Sequence, residues 1–281
     1  MIENFNLEKI YQYLLITLAF MIPLTVFGAN VIIVIICFIW LFSGNYKFKF
    51  NQIIQSKLLI ASIGFYLFHI FGMIWTENIS WGLHILHKMW YFLLLFPILS
   101  TITKKEHIGF YITAFLLAIS LTEVVSYLVW FEIIPQFKNA TAYNPTPFMN
   151  HVTYNPMLAF AVYLVAHELF LNKNINKLRQ CLYGFFTLTM SVNMFITGGR
   201  AGQVMYLALI SILILQIFKS QKIKAILLIL IVVPSIFMTA YHTSKIFKDR
   251  VDMAYGNVVR YETAKTTSTG QRITYAINFV E

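Results

Sequence analysis

Residues 201–241 read AGQVMYLALISILILQIFKSQKIKAILLILIVVPSIFMTAY. Two apolar runs, 201–218 and 222–241, are separated only by a short link carrying Lys219 and Lys222. Each is close to the roughly 20 apolar residues that a helix needs to cross a bilayer. A water-soluble domain would have to bury both runs on every side. The rest of the chain makes that impossible: of its 281 residues 59% are hydrophobic, 17% aromatic and only 11% charged. A soluble domain carries nearer a quarter charged residues. The mean hydropathy is +0.70. The sequence therefore predicts an all-α, polytopic transmembrane bundle.

Working outward, the same pattern recurs at 10–27, 29–43, 57–75, 84–101, 108–131, 152–171 and 180–197, which makes nine spans. The first two are expected to form a tight hairpin turning at Gly28. The first run also has signal-peptide features, with Lys9 before it and Gly28-Ala29 after it. The second apolar run follows at once without a polar cleavage region, so a span is the preferred reading. Residues 1–241 are then a transmembrane domain, and 242–281 the start of an outer-face loop.

The net charge of +10 does not indicate nucleic acid, because the basic residues sit in short loops between apolar runs. Lys and Arg concentrate in alternate loops: Lys47, Lys49 and Lys57; Lys104 and Lys105; Lys173, Lys177 and Arg179; Lys219, Lys222 and Lys224. Lys9 falls on the same side. The other loops hold only Lys88, Lys138 and Arg200. The positive-inside rule places the rich loops, and the N-terminus, in the cytoplasm. The tail from His242 onward then faces outward. Cys37 and Cys181 both lie in apolar stretches and form no metal or disulfide pattern. The sequons at Asn78 and Asn139 are read as chance matches.

Unusual polar residues gather on the expected outer face. Thr197-Gly198-Gly199-Arg200-Ala201-Gly202 joins two spans by a very tight turn. Two glycines free the backbone to present N–H groups, the next helix directs its positive end outward, and Arg200 adds a planar donor fork. Phosphate would suit such a place. In the tail, Phe247, Val251, Ala254, Val258 and Tyr261 recur at helical spacing and predict an amphipathic helix. A second helix is expected near Gln271, capped by Thr269, with Arg272 in its first turn and Ile273, Ala276, Ile277 and Val280 as its stripe. Weaker candidates are Glu77, Lys88 and His151. Glu123 is an acid inside the fifth span, expected in its cytoplasmic half. His84 and His87 have i, i+3 spacing but no third metal ligand. No nucleotide-binding loop or metalloprotease motif is present, so neither a metal nor a cofactor is expected.

Taken together, these segments resemble the O-antigen ligase and O-antigen polymerase superfamily. The turn at 197–202 is similar to that family's T-[SG]-[SG]-R-[SAG]-[GA] signature. Thr269-Gly270-Gln271-Arg272 looks like its second arginine segment. Trp75-Thr76-Glu77-Asn78 leading to Lys88, and Pro147-Phe148-Met149-Asn150-His151, fit its earlier segments. The resemblance implies transfer of a glycan from undecaprenyl diphosphate to lipid A-core, polysaccharide or protein outside a bacterial cytoplasmic membrane. It implies that Gly198, Gly199, Arg200 and Arg272 bind the diphosphate, with Arg200 and Arg272 catalytic. It also implies a later loop with a basic histidine, which this sequence does not contain, so the chain is expected to be a C-terminally truncated member. Ligase and polymerase are not separated by these motifs. A lipid-linked sugar flippase and an inactive membrane scaffold are the competing classes.

Overall fold

The computed structural model describes residues 2–137, 140–172 and 174–280, with side chains for 7–137, 140–172 and 174–278. Lys138, Asn139, Lys173 and the Val280 side chain, all named above, lie outside them. The described residues are mainly helical, with no strand and one isolated bridge, Phe137 to Ala140. The chain divides into two compact units, Met1–Leu117 and Ala118–Glu281.

The first unit holds α1 (Ile2–Met21), α2 (Val26–Phe42), α3 (Tyr46–Gln55), α4 (Lys57–Gly72), α5 (Ile79–Leu93) and α6 (Leu95–Ile102). Its core joins Leu15, Leu18, Ala29, Ile32, Ile36 and Ile98. The α1–α2 turn falls at 22–25, not at Gly28, because Thr25 caps α2 by accepting from the Gly28 N–H at 3.3 Å. α2 and α3 form a pair bent by 116°. Lys49 stabilises the bend: its ammonium donates to Trp40 O and Ser43 Oγ, both at 2.7 Å, and lies 4.5 Å from the Trp40 ring centroid.

α7 (Ile108–Trp130) runs across the division between the units. The second unit continues with α8 (His151–Leu171), α9 (Lys177–Ile196), α10 (Arg200–Ile217) and α11 (Lys222–Thr243), then α12 (Lys245–Val259), α13 (Tyr261–Ala264) and α14 (Ser268–Val280). α8 is its centre. Tyr154, Asn155, Leu158, Ala159, Ala161, Val162, Val165 and Ala166 are all buried and form one broad face, while Val152, Phe160 and Phe170 stay exposed. α9 and α10 both pack on it.

Six helical stretches are long and apolar enough to cross a membrane: 57–75, 79–102, 105–130, 151–171, 200–217 and 222–243. The bent α2–α3 pair makes up to seven. α1 and α9, expected as spans, are helical but do not reach that apolarity. In α9 the reason is visible. Asn193 is fully buried and hydrogen-bonded inside the unit, and Ser191 accepts from Tyr206 at 3.0 Å. Polar groups satisfied by neighbouring helices lower the hydropathy of a helix without exposing it to hydrocarbon.

Candidate functional site

The site is built on the turn between α9 and α10, and all its parts belong to the second unit. Thr197 is fully buried, and its hydroxyl donates to Asn155 Oδ1 at 2.9 Å. Gln203 reaches back along α10 to donate to the Thr197 carbonyl at 3.0 Å. Space for a side chain is tight at Gly198 and absent at Gly199. A Cβ on Gly198 would stand 3.3 Å from two guanidinium nitrogens of Arg250, and one on Gly199 would stand 2.5 Å from the His151 carbonyl. Gly202 brings α10 onto the backbone of α8, where a Cβ would lie 2.5 Å from the Asn155 carbonyl carbon. The glycines thus serve close packing as much as backbone freedom.

The segment 140–150 closes over the turn. Ser126 on α7 donates to the Pro145 carbonyl, and Asn193 Nδ2 donates to Ser126 Oγ at 2.9 Å. Tyr154 donates to Asn193 Oδ1 at 3.0 Å, completing a buried chain from α8 to the loop. Asn144 is consequently fixed. Its Oδ1 accepts the Gly198 N–H at 2.9 Å, so its amide nitrogen is the group facing His151 Nδ1 at 3.2 Å. An amide N–H donates, so Nδ1 accepts and the ring proton of neutral His151 resides on Nε2. In this arrangement His151 offers a donor, not a basic lone pair.

Three arginines converge here. Arg200 opens α10, and its terminal nitrogens donate to Ser268 Oγ at 2.8 Å and Thr269 Oγ1 at 3.2 Å. That contact docks the start of α14, which carries Arg272 on its first turns. Arg250 and Arg272 both act electrostatically on Arg200, and Arg250 and Arg200 both act on His151. Among the described residues no arginine forms an ion pair. The neighbouring acids are already engaged: Asp249 accepts from Tyr143 and Asp252 from Tyr241, each at 2.8 Å. Burial and the Asp249 hydrogen bond raise the Tyr143 phenol above its usual range, so it remains the donor.

The structure thus brings together Gly198, Gly199, Arg200, Arg272 and His151. Arg250 was not singled out in the sequence. It sits beside the apolar stripe of α12, and an eye tracking only apolar residues passes over it. Glu77 and Lys88 belong to the first unit, both exposed and without an ion pair among the described residues. His84 and His87 are exposed as well. Glu8, Glu106 and His107 have metal-like spacing, but Lys104 already pairs with Glu8. Compared with known proteins, the chain matches no family model, no curated protein and no solved structure.

Three local expectations need correction. Glu123 lies toward the Trp130 end of α7, not the end next to Lys104 and Lys105. It is 2% exposed, and Thr189 on α9 is the polar side chain beside its carboxyl group. Thr269 does not cap the last helix: α14 starts at Ser268, and Thr267 accepts from the Gly270 N–H at 3.1 Å. Of its expected stripe, Ala276 and Ile277 are exposed. α12 behaves as expected near its start, where Phe247 is buried, but Val258 is 53% exposed.

Proposed function

We propose that the chain is a membrane-embedded glycosyltransferase of the O-antigen ligase type. It moves a glycan from undecaprenyl diphosphate to an acceptor on the outer face of a bacterial cytoplasmic membrane. The observation that carries this reading is the convergence of Arg200, Arg250 and Arg272 with no acidic partner among the described residues. Like charges brought together repel one another, and a bound dianion relieves that cost. When the bond between sugar and phosphate breaks, negative charge develops on the leaving diphosphate. Guanidinium forks and the N-terminus of α10 are suited to stabilise it. Such a donor is already activated and needs no nucleotide.

The lipid part of the donor has a matching place. A cavity of about 730 Å³ lies along α9 and α11, from Gly184 and Leu188 to Ile196, Thr239 and Ser244. Its lining is mostly apolar, and Ile196 and Ser244 stand beside the turn and the start of α12. In this reading nine helices span the membrane, the N-terminus is cytoplasmic, and residues beyond His242 are external. The acceptor is lipid A-core, a polysaccharide or a protein, and a polymerase of the same superfamily is equally compatible. Because His151 presents Nε2–H, the acceptor proton goes to a base other than His151 in this tautomer.

The test is transfer from a lipid-diphosphate glycan by the chain in nanodiscs. Arg200→Ala should abolish donor binding, while Arg200→Lys should restore only part of it, because an ammonium cannot reproduce the fork. Unchanged donor binding by a folded Arg200→Ala variant would remove this function. A second reading, a lipid-linked sugar transporter, is favoured by one feature: Glu123 is an isolated buried acid inside a candidate span, and such residues commonly serve ion pathways. Proton-dependent movement of the donor across vesicles, lost in Glu123→Gln, would replace the first reading with this one.

A further inference from the structure

Arg250 has a role distinct from that of the other two arginines. We propose that it holds the second phosphate of the ligand and so makes the site selective for a diphosphate over a monophosphate. This rests on the lipid-diphosphate reading above and deepens it.

The first argument is donor accounting. Arg200 commits one N–H of each terminal nitrogen to Ser268 and Thr269, which leaves three of its five donors for one phosphate. Arg250 makes no hydrogen bond or ion pair with a described residue, and its Nε is buried without a partner. An unpaired buried donor is costly and rare in a settled fold, and charged donors more so. A bound acceptor accounts for it. The nearest acid in sequence, Asp249, is taken by Tyr143 and leaves the guanidinium free.

The second argument is placement. Arg250 is not a loose surface cation. Ser244 caps α12 by accepting from the Phe247 N–H at 3.2 Å, and its own hydroxyl donates to the Phe195 carbonyl at 2.6 Å. Phe247 stands edge-on between Phe195 and Phe237, with ring centroids 5.2 and 5.3 Å away. One turn further, Ile246 and Arg250 meet Gly198 together, at i and i+4 on one helix face. The guanidinium therefore lines the turn: a Cβ on residue 198 would stand 3.3 Å from its Nε and Nη2 and would need it to shift slightly.

The third argument is number. One phosphate needs one bidentate fork. Arg200 with Arg272, joined through the start of α14, already supplies that. A further fork held on a different helix, without a partner, adds capacity for a second phosphate. An anion with a single phosphate leaves Arg250 unused.

The experiment measures binding of undecaprenyl diphosphate, undecaprenyl phosphate and inorganic pyrophosphate to the full chain in phosphatidylcholine nanodiscs. Native mass spectrometry reads the bound fraction. The wild-type chain should prefer the lipid diphosphate to the lipid monophosphate by roughly tenfold or more, the scale of one charge-assisted contact. Arg250→Gln should reduce that ratio to about twofold or less, with monophosphate binding nearly unchanged. Arg250→Lys should restore part of it. Pyrophosphate binding that falls with Arg250→Gln assigns the effect to the headgroup and not to the chain. An unchanged ratio in a folded Arg250→Gln variant, or an equal loss for both lipids, overturns this inference while leaving the lipid-diphosphate reading intact. Failure of the wild-type chain to bind either lipid overturns both.

Discussion

A methyl group is the smallest probe of the turn at 197–202. At Gly202 it would enter the crossing of α8 and α10, 2.5 Å from one backbone atom and 2.7 Å from the Pro156 nitrogen. Backbone cannot yield as a side chain can, so the helices must separate. Overpacking of this kind costs about 1–3 kcal/mol. Gly184 on α9 is the control, because a Cβ there meets nothing within 4 Å. Gly202→Ala should lower the melting temperature in detergent and weaken ligand binding. Gly184→Ala should leave stability equal or slightly higher, since alanine favours a helix interior by about 0.5–1 kcal/mol over glycine. Equal melting temperatures for both variants would show that the close approach of α8 and α10 is not required.

At the level of elements, α12 is the lever that aims Arg250. Phe247 is 4% exposed and fastens the helix to α9 and α11 through Phe195 and Phe237. Removing the ring should cost about 3–5 kcal/mol, as for large-to-small changes in cores. Ser244→Ala should cost about 1 kcal/mol through the lost cap. Both should also speed amide hydrogen exchange across 245–259 and imitate the Arg250 phenotype, although neither residue offers a charge to the diphosphate. Protection of α12 unchanged in Phe247→Ala would place the anchor elsewhere.

These same elements show what a linear reading can reach. The apolar stretches are mainly helical because hydrocarbon-compatible runs leave the backbone few other ways to satisfy itself, although the first is interrupted at 22–25 and the fourth at Leu94. The turn glycines were legible from Thr197-Gly198-Gly199-Arg200 because positive charge beside two glycines is unusual. Exact caps were not: Thr25 and Thr267 succeeded over Gly28 and Thr269 by hydrogen bonds that depend on local backbone geometry. Arg250 was hidden because its meaning comes from Gly198, 52 positions away in sequence. The tautomer of His151 was hidden for the same reason, since it is set by Asn144 answering to the turn.

For the whole molecule, the number of crossings decides where the arginines stand. Six or seven helices satisfy a test of length and apolarity, whereas alternation of the basic loops calls for nine spans. The difference rests on α1 and α9. α9 begins with Lys177 and Arg179 and ends in the buried run Asn193–Ile196, so a crossing puts its two ends on opposite faces. Its Asn193 and Ser191 have partners within the bundle, which weakens the physical objection to a span of modest hydropathy. We expect a cysteine at Lys177 to react only with reagents admitted from the cytoplasmic side. A cysteine at Asn257, on α12, should react with an impermeant maleimide from outside. The background needs Cys37→Ala and Cys181→Ser, because Cys181 is exposed. Labelling of both introduced cysteines from the same side would mean that the stretch between them crosses an even number of times. In nine-span topology that stretch is α9, α10 and α11, an odd number. Such a result would remove one crossing, most simply α9, and move Arg200, Arg250 and Arg272 to the face that the proposed function does not allow.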